Sequence, residues 1–238
     1  MARRRKTSTE NHPIGVGLTT KQMKKRKPIN SDLLLDIDPL TSNQEKFFKS
    51  YLEGKNLVAY GVAGTGKTFI TLYNALREVL DERTPYEKIY ICRSLVQVRE
   101  IGFLPGNHED KAALFEIPYK NMVKYMFQMP SDADFEMLYG NIKSQGTISF
   151  WSTSFLRGVT LDNSIITRVG ENSKIIFCGD TRQSDLIKEK EKLGIYDFLK
   201  ILGVMPSFDM VEFTIEDVVR SGIVKEYLIA KDKLNIDL

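Results

Sequence analysis

Cysteine and histidine are scarce in this chain, which has only two of each among its 238 residues. Cys92 and Cys178 cannot build a disulfide framework, and with His12 and His108 they do not by themselves predict a four-ligand zinc site. This composition favours a reducing compartment, so a cytoplasmic protein is the simplest expectation.

Long apolar runs are missing as well. No stretch approaches the ~18–20 apolar residues that span a bilayer, and the basic N-terminal sequence MARRRKTSTENHPIG is not followed by the apolar segment of a secretory signal. The apolar and charged fractions, 42% and 27%, are those of an ordinary globular protein. We therefore expect no membrane partner, and one domain with a substantial core.

Positive charge is concentrated at the N-terminus. The net charge is +3, but residues 1–28 hold nine Lys and Arg against one acid, which is +8 and leaves −5 for residues 29–238. We predict a flexible, solvated tail over 1–38 and a folded domain over 39–238. Clustered cations also attract nucleic acid by releasing counterions, so a nucleic-acid-binding and a merely solubilising interpretation of the tail both stay open.

Apolar spacing predicts helices that alternate with strands. A helix is expected over 39–54, where Ser42 and Glu45 have capping-box spacing. The segment 109–129 is largely helical in pattern, with Pro118 forcing a break or a fresh start. Further helices are predicted after residue 66, at about 194–202 and at 222–233, and strands at 56–60, 88–92, 147–151, 174–178 and 209–213. This alternation predicts an α/β fold with a mostly parallel sheet and helices on both faces.

The sequence GVAGTGKT at 61–68 has the pattern of a phosphate-binding loop. Its glycines let successive backbone N–H groups face phosphates, and the following helix adds the positive end of its dipole. Lys67 is expected to reach the β- and γ-phosphates, and Thr68 to offer its hydroxyl to Mg²⁺. The predicted nucleotide-binding residues of this loop are Gly61, Val62, Ala63, Gly64, Thr65, Gly66, Lys67 and Thr68.

A P-loop needs a second element, a buried strand that ends in a metal-holding carboxylate. The apolar run in LDNSIITRVG, 161–170, ends without an acid, and only residues 167–173 separate it from the strand 174–178. Parallel neighbours need a crossover of about 10–12 residues, so 161–166 is predicted to belong to a long connection. Asp180 follows the strand KIIFC and is a candidate metal ligand; the alternative, that it only caps a turn, stays open.

Motifs along most of the chain resemble the PhoH family of P-loop ATPases, in the form carried by bacteriophages. The resemblance rests on NQ (43–44), GVAGTGKT, GFLPG (102–106), FLRGVTLDN (155–163), CGDTRQSDL (178–186) and VVRSG (218–222). It implies a fold similar to the motor domain of superfamily-one helicases, with ATP and Mg²⁺ as cofactors. It also implies ATPase activity, action on single-stranded nucleic acid with RNA favoured, homo-oligomeric rings, and a cytoplasmic location, which is the host cytoplasm if the protein is phage-encoded.

The same resemblance implies roles for single residues. Asn43 and Gln44 are similar to the element that reads adenine; the alternative is ordinary polarity at a helix N-terminus. Asp180 and Gln183 resemble a G-D-x-x-Q motif that senses the γ-phosphate or the attacking water. Arg220 resembles an arginine that stabilises transition-state charge, within the subunit or across an interface; its alternative is a solvated arginine at a helix start.

Two further positions are expected to face the substrate. Arg93 follows strand 88–92 and is predicted to approach substrate or phosphate. GFLPG, 102–106, combines turn residues with an apolar centre and is predicted to form a loop over the substrate channel.

The chain departs from the family pattern at Ser164. In the family, TLDN leads into a strand that ends in Asp-Glu and then a helix, whereas here Ser164 joins directly to the later segment IITRVGENSKIIFCGD. The acid-bearing Walker B segment is therefore predicted to be absent, so the P-loop NTPase fold lacks one strand and one helix or is locally rearranged.

Function is expected to follow from that loss. ATP binding should persist while hydrolysis falls to near background, unless Asp180 has moved into the metal position, with Asp162 as the next candidate. Two alternatives remain: a non-hydrolysing module that binds ATP and nucleic acid or partners, and a small-molecule kinase that shares only the P-loop.

Overall fold

The structure is a computed structural model of the chain, and it describes residues 31–93, 108–152, 169–179 and 189–234. These residues fall into two compact units. The P-loop unit comprises 37–74, 172–179 and 189–234, and the helical unit comprises 31–36, 75–93, 108–152 and 169–171. Most of the predicted basic tail lies outside the described residues, so its boundary at residue 38 stays a prediction.

The described elements alternate between helix and strand for most of the chain. They are α1 (Ser42–Leu52), β1 (Asn56–Gly61), α2 (Lys67–Leu80), β2 (Ile89–Arg93), α3 (His108–Phe127), α4 (Asp132–Ser144), β3 (Ile148–Ser152), β4 (Ile176–Cys178), α5 (Glu189–Val204), β5 (Phe208–Phe213) and α6 (Gly222–Lys233). Short 3₁₀ turns occupy Ser31–Leu33 and Ile215–Asp217. All five predicted strands are present.

Every described strand pairing is parallel, so the predicted α/β class is confirmed. In the P-loop unit the sheet order is β4-β1-β5, with β1 in the centre and Gly61 opposite Phe213 at its carboxyl end. Leu57, Val58 and Ala59 of β1 are buried in succession, as in a strand covered on both faces. In the helical unit β2 pairs with β3, in a register that sets Ile89 opposite Ile148.

Helix α1 packs its aromatic face into the core of the P-loop unit. Phe47 stacks on Tyr51, and Phe48 lies against Tyr73 of α2 with ring centroids 6.1 Å apart. The N-cap is Thr41, whose hydroxyl accepts the Gln44 N–H at 3.3 Å. The predicted cap at Ser42 is therefore wrong by one residue.

The shift of the cap has a physical reason. The Gln44 side chain is buried and accepts the Leu40 N–H at 2.8 Å. Together with the Thr41 hydroxyl, which accepts the Gln44 N–H, it satisfies backbone donors at the N-terminus of α1 on the buried side. Ser42 and Glu45, the predicted pair, are exposed to solvent.

In the helical unit, the sequence analysis did not predict helix α4 and wrongly predicted a break in helix α3. Helix α4 begins after Ser131, whose hydroxyl accepts the Asp134 N–H, and it buries Phe135, Leu138, Tyr139 and Ile142 at helical spacing. The predicted break at Pro118 is wrong, because α3 runs without interruption past it. Pro118 is exposed, so water can hydrate the carbonyl that its missing N–H leaves free.

Membrane-spanning segments are not found among the helices in the described ranges. None of these helices is both long enough and apolar enough to cross a bilayer.

Candidate nucleotide site

The P-loop, residues 61–68, connects β1 to α2 with a backbone that only glycine accommodates at its first position. Gly61 has φ +113°, and a Cβ there would lie 2.1 Å from the carbonyl oxygen of Phe213 on β5. The Val62 N–H donates to that same carbonyl at 2.9 Å, which fixes the start of the loop against β5. Gly64 and Gly66 also have positive φ, at +77° and +82°. The loop therefore turns tightly into the N-terminus of α2, as a phosphate-binding loop must.

Lys67, the first residue of α2, folds its side chain into this loop. Its ammonium donates to the carbonyls of Gly61 at 3.1 Å and Val62 at 2.6 Å, and to the Thr65 hydroxyl at 3.2 Å. It lies 5.8 Å from the centre of the Phe213 ring and is buried. A buried cation at a helix N-terminus creates a strongly electropositive site, which suits a phosphate group.

Gln44 is the second side chain that shapes the loop. Its Nε2 donates to the Thr65 carbonyl at 3.0 Å, and a Cβ on Gly66 would lie 3.2 Å from that nitrogen. The structure thus brings Gln44 to the P-loop, where its amide holds the loop backbone. Direct contact of Gln44 with the nucleotide stays a prediction.

The segment after β5 contacts the P-loop directly. The Val219 N–H donates to the Gly64 carbonyl at 3.2 Å. A Cβ on Gly64 would lie 3.2 Å from both Arg220 Cγ and Leu228 Cδ1. The exposed Arg220 is therefore next to the loop, and the absence of a side chain at Gly64 makes that approach possible.

Asp217 is the residue of this site that the sequence interpretation missed. It is buried, with 2% of its surface exposed, and it accepts hydrogen bonds from Asn43 Nδ2 at 2.7 Å and the Thr214 N–H at 2.8 Å. Burial raises the pKa of Asp217, but hydrogen bonds from Thr41, Asn43 and Thr214 lower it by more, so the net pKa is below the ordinary value. The signal in the sequence was the T-x-x-D spacing of Thr214 and Asp217, which is a local capping pattern.

The remaining predicted residues divide into those in the loop and those elsewhere. Val62 and Thr65 are buried, while Ala63 and Thr68 are half-buried. Arg93 ends β2 in the helical unit, and its side chain is outside the described part. Asp180, Gln183, Asp162 and the loop 102–106 lie outside the described residues, so their predicted roles stay predictions.

A metal site built from protein side chains alone does not occur in the described ranges, where no three His, Cys, Asp or Glu residues cluster. The P-loop itself fits Mg²⁺ with a nucleotide, because such a metal is held largely by phosphates and a few side-chain oxygens. Thr68, at the second position of α2, has the hydroxyl that this arrangement requires.

The sequence of the chain is similar to that of a known protein family and of several curated proteins. The model of the protein family described as PhoH-like protein matches the chain in two segments, 36–167 and 164–231. The chain is 27% identical over 192 residues to protein PhoH2 of Bacillus subtilis, covering 72% of this chain and 42% of the relative. It is 27% identical over 213 residues to a PhoH-like protein of Bacillus subtilis, covering 82% of this chain and 64% of the relative.

A third relative extends the comparison to another organism. The chain is 28% identical over 214 residues to protein PhoH of Escherichia coli, covering 81% of this chain and 58% of the relative. The chain thus spans about half of the length of the curated relatives it matches, from 42% to 64% for these three proteins.

Proposed function

Because this chain belongs to the family of PhoH-like proteins, we propose that it binds ATP with Mg²⁺ at the P-loop, residues 61–68. The observation that supports this most is the loop geometry. Gly61 abuts the Phe213 carbonyl, and the Lys67 ammonium is buried among the carbonyls of the loop. A nucleotide phosphate would replace those carbonyls as the partner of Lys67 and would lie at the N-terminus of α2.

Each residue of the site has a distinct task in this proposal. Lys67 and the loop N–H groups hold the phosphates, and Thr68 contributes an oxygen to the metal. Gln183 orients the water that attacks the γ-phosphate, and Arg220 balances the charge that develops there. When bound, Mg²⁺ neutralises phosphate charge and keeps the terminal phosphate in position.

We further propose that hydrolysis is strongly impaired because the acid-bearing strand is absent. The family model matches in two segments that overlap at residues 164–167, which supports a loss of family sequence at Ser164. General-base and positioning groups are each worth about 10²–10⁴ in rate, whereas the P-loop contacts that bind ATP remain.

One experiment separates binding from turnover. Calorimetric titration with Mg·ATP should give saturable binding, and steady-state ATPase assays with and without single-stranded RNA should stay near background. If turnover is fast, Asp180→Asn decides whether that residue has taken over the metal position. Fast turnover that survives Asp180→Asn would overturn the impaired-hydrolysis proposal, and absence of ATP binding would overturn the proposed function itself.

The partners that we propose are single-stranded nucleic acid, preferably RNA, and further copies of the chain. The excess of +8 over residues 1–28 supports the first, because cations bind phosphate backbones by counterion release. The second is supported by α6, which exposes the apolar residues Ile223, Val224 and Tyr227 just after Arg220. The second candidate function goes one step further than impaired hydrolysis: a module with no ATP turnover at all, which contacts nucleic acid or partner subunits, and the proposed loss of the acid pair favours it.

Both partners can be tested directly. Binding to a fluorescent single-stranded RNA should weaken steeply as salt rises, whereas a salt-independent affinity would argue against the basic tail as the contact. Light scattering should report an oligomer that Tyr227→Glu converts to smaller species, and a monomeric wild-type chain would overturn the oligomer proposal.

A further inference from the structure

Two consecutive carbonyls of the P-loop are tied by two different segments of the P-loop unit. The Val219 N–H donates to the Gly64 carbonyl at 3.2 Å, and Gln44 Nε2 donates to the Thr65 carbonyl at 3.0 Å. In a planar trans peptide the carbonyl and the following N–H point in opposite directions. Each tether therefore orients one N–H of the loop, that of Thr65 or Gly66, away from the segment that holds the preceding carbonyl.

Asp217 joins one tethering segment, α1, to the turn after β5. Its carboxylate accepts from Asn43 Nδ2 at 2.7 Å and is hydrogen-bonded by the Thr41 side chain. The same Thr41 hydroxyl accepts the Gln44 N–H, so Asp217 fixes the N-cap from which the Gln44 side chain extends. The buried carboxylate of Asp217 thus supports the hydrogen bond from Gln44 to the Thr65 carbonyl.

Asp217 also organises the other tethering segment, which carries Val219. It is the last residue of the turn Ile215–Asp217, and it closes that turn by accepting the N–H of Thr214 at 2.8 Å and its hydroxyl at 3.2 Å. Val219 follows two residues later. Because Asp217 is 2% exposed, water cannot readily replace these bonds when they are lost.

We infer that Asp217 is a positioning residue of the nucleotide site, which sets the P-loop N–H groups by holding both segments that tether the loop. This inference rests on the proposed function, to which it adds a residue that need not touch the nucleotide. Its carboxylate acts through Thr41 and Asn43 on one segment and through Thr214 on the other.

The test compares Asp217→Asn with Glu216→Gln, which removes the same charge from the exposed neighbouring residue. Hydrogen exchange of the Gly64–Lys67 amides, read by NMR without nucleotide, should accelerate in Asp217→Asn alone. ATP affinity should fall about tenfold in Asp217→Asn and stay unchanged in Glu216→Gln. Unchanged amide exchange in Asp217→Asn would overturn the inference. If the wild-type chain binds no ATP, the exchange measurement still decides the role of Asp217, so the two failures are distinguishable.

Two further variants distinguish a positioning role of Asp217 from a general loss of stability. Phe135→Leu, in the core of the helical unit, should lower thermal stability without changing ATP affinity or loop exchange. In a double-mutant cycle, Asp217→Asn and Gln44→Ala should be less than additive for ATP affinity, because Gln44→Ala removes the hydrogen bond to the Thr65 carbonyl that Asp217→Asn weakens through α1. Full additivity would contradict the relay through Gln44. If Asp217→Asn does not fold, Thr214→Val removes one hydroxyl donor and should give the same changes at smaller size.

Discussion

The two units place their polar and charged side chains differently. In the P-loop unit the polar residues Gln44, Thr65, Lys67 and Asp217 are buried. They form hydrogen bonds within the P-loop or with the helix α1 that contacts it. In the helical unit the ion pairs Lys120–Glu136, Lys124–Asp132 and Lys143–Glu116 lie at the surface, and each lysine covers an aromatic ring.

Buried hydrogen bonds fix the geometry of the P-loop unit more strictly than surface ion pairs fix that of the helical unit. Burying polar groups is unfavourable unless they are fully hydrogen-bonded, and when they are, they hold a unique arrangement. Exposed ion pairs contribute about 0–1 kcal/mol and tolerate loss. Substitutions of similar chemistry should therefore have much larger effects in the P-loop unit than in the helical unit.

The largest contrast is expected between two glycines. Gly61→Ala should cost at least about 3 kcal/mol of unfolding free energy, because the new Cβ would meet the Phe213 carbonyl at 2.1 Å and φ is +113°. At Gly140 in α4 the new Cβ would meet no atom within 4 Å outside its own helix in the described part of the chain, so Gly140→Ala should stabilise by about 0.5–1 kcal/mol. Urea unfolding measures both, and equal effects would contradict the contrast.

Next in size is a pair of lysines. Lys67→Ala should weaken ATP binding by about 100-fold, because it removes a buried cation from the phosphate site. Lys120→Ala breaks the surface pair with Glu136 and should leave ATP affinity unchanged. Direct titration gives both values. Unchanged affinity in Lys67→Ala would mean that the binding site lies elsewhere.

Acid should weaken the P-loop unit through Asp217. Its pKa in the folded protein is lowered, so its contribution is fully present above the unfolded-state pKa of about 3.9 and is lost as pH falls through the lower folded value. The stability difference between wild type and Asp217→Asn should be about 2 kcal/mol near pH 7 and should shrink below about pH 4. Urea titrations at pH 7, 5 and 3.5 measure it. A difference that grows on acidification would contradict the sign of the pKa shift.

The sequence predicted the elements of the fold well because their signals are local. Strand β1 is an apolar run, and the P-loop is a contiguous motif whose glycines and lysine carry their own chemistry. Local signals also misled: Pro118 predicted a break in α3, but an exposed proline in a long helix leaves only one carbonyl to hydrate. Helix α4 was missed although Phe135, Leu138, Tyr139 and Ile142 recur at helical spacing.

The candidate site was predictable only in part, because its second half is assembled from distant segments. Asn43 and Asp217 are 174 residues apart in the chain and meet at 2.7 Å. No spacing rule connects them, and the one-residue error at the N-cap hid the link through Thr41. The T-x-x-D spacing marks Asp217 only as a turn residue, and its contact with α1 follows from the folded structure.

The smallest contrast concerns two tyrosines, one in each unit. Tyr73 accepts the Ile37 N–H on its hydroxyl at 3.1 Å, whereas the buried Tyr139 hydroxyl has no hydrogen-bond partner in the part of the chain that the structure describes. Burial, together with the charges of Glu116 and Glu136, raises the pKa of Tyr139 to about 12, so its hydroxyl stays neutral at ordinary pH.

Replacing each tyrosine by phenylalanine removes only the hydroxyl. Tyr73→Phe should cost about 1 kcal/mol, because it leaves the Ile37 N–H without its acceptor. Tyr139→Phe should be neutral or stabilise by up to about 1 kcal/mol, because an unsatisfied buried hydroxyl is lost while the ring keeps its contacts with Phe135 and Lys120. Parallel urea titrations at neutral pH measure both. If Tyr139→Phe were as destabilising as Tyr73→Phe, the Tyr139 hydroxyl would have a hydrogen-bond partner, and the expected contrast between the two tyrosines would be wrong.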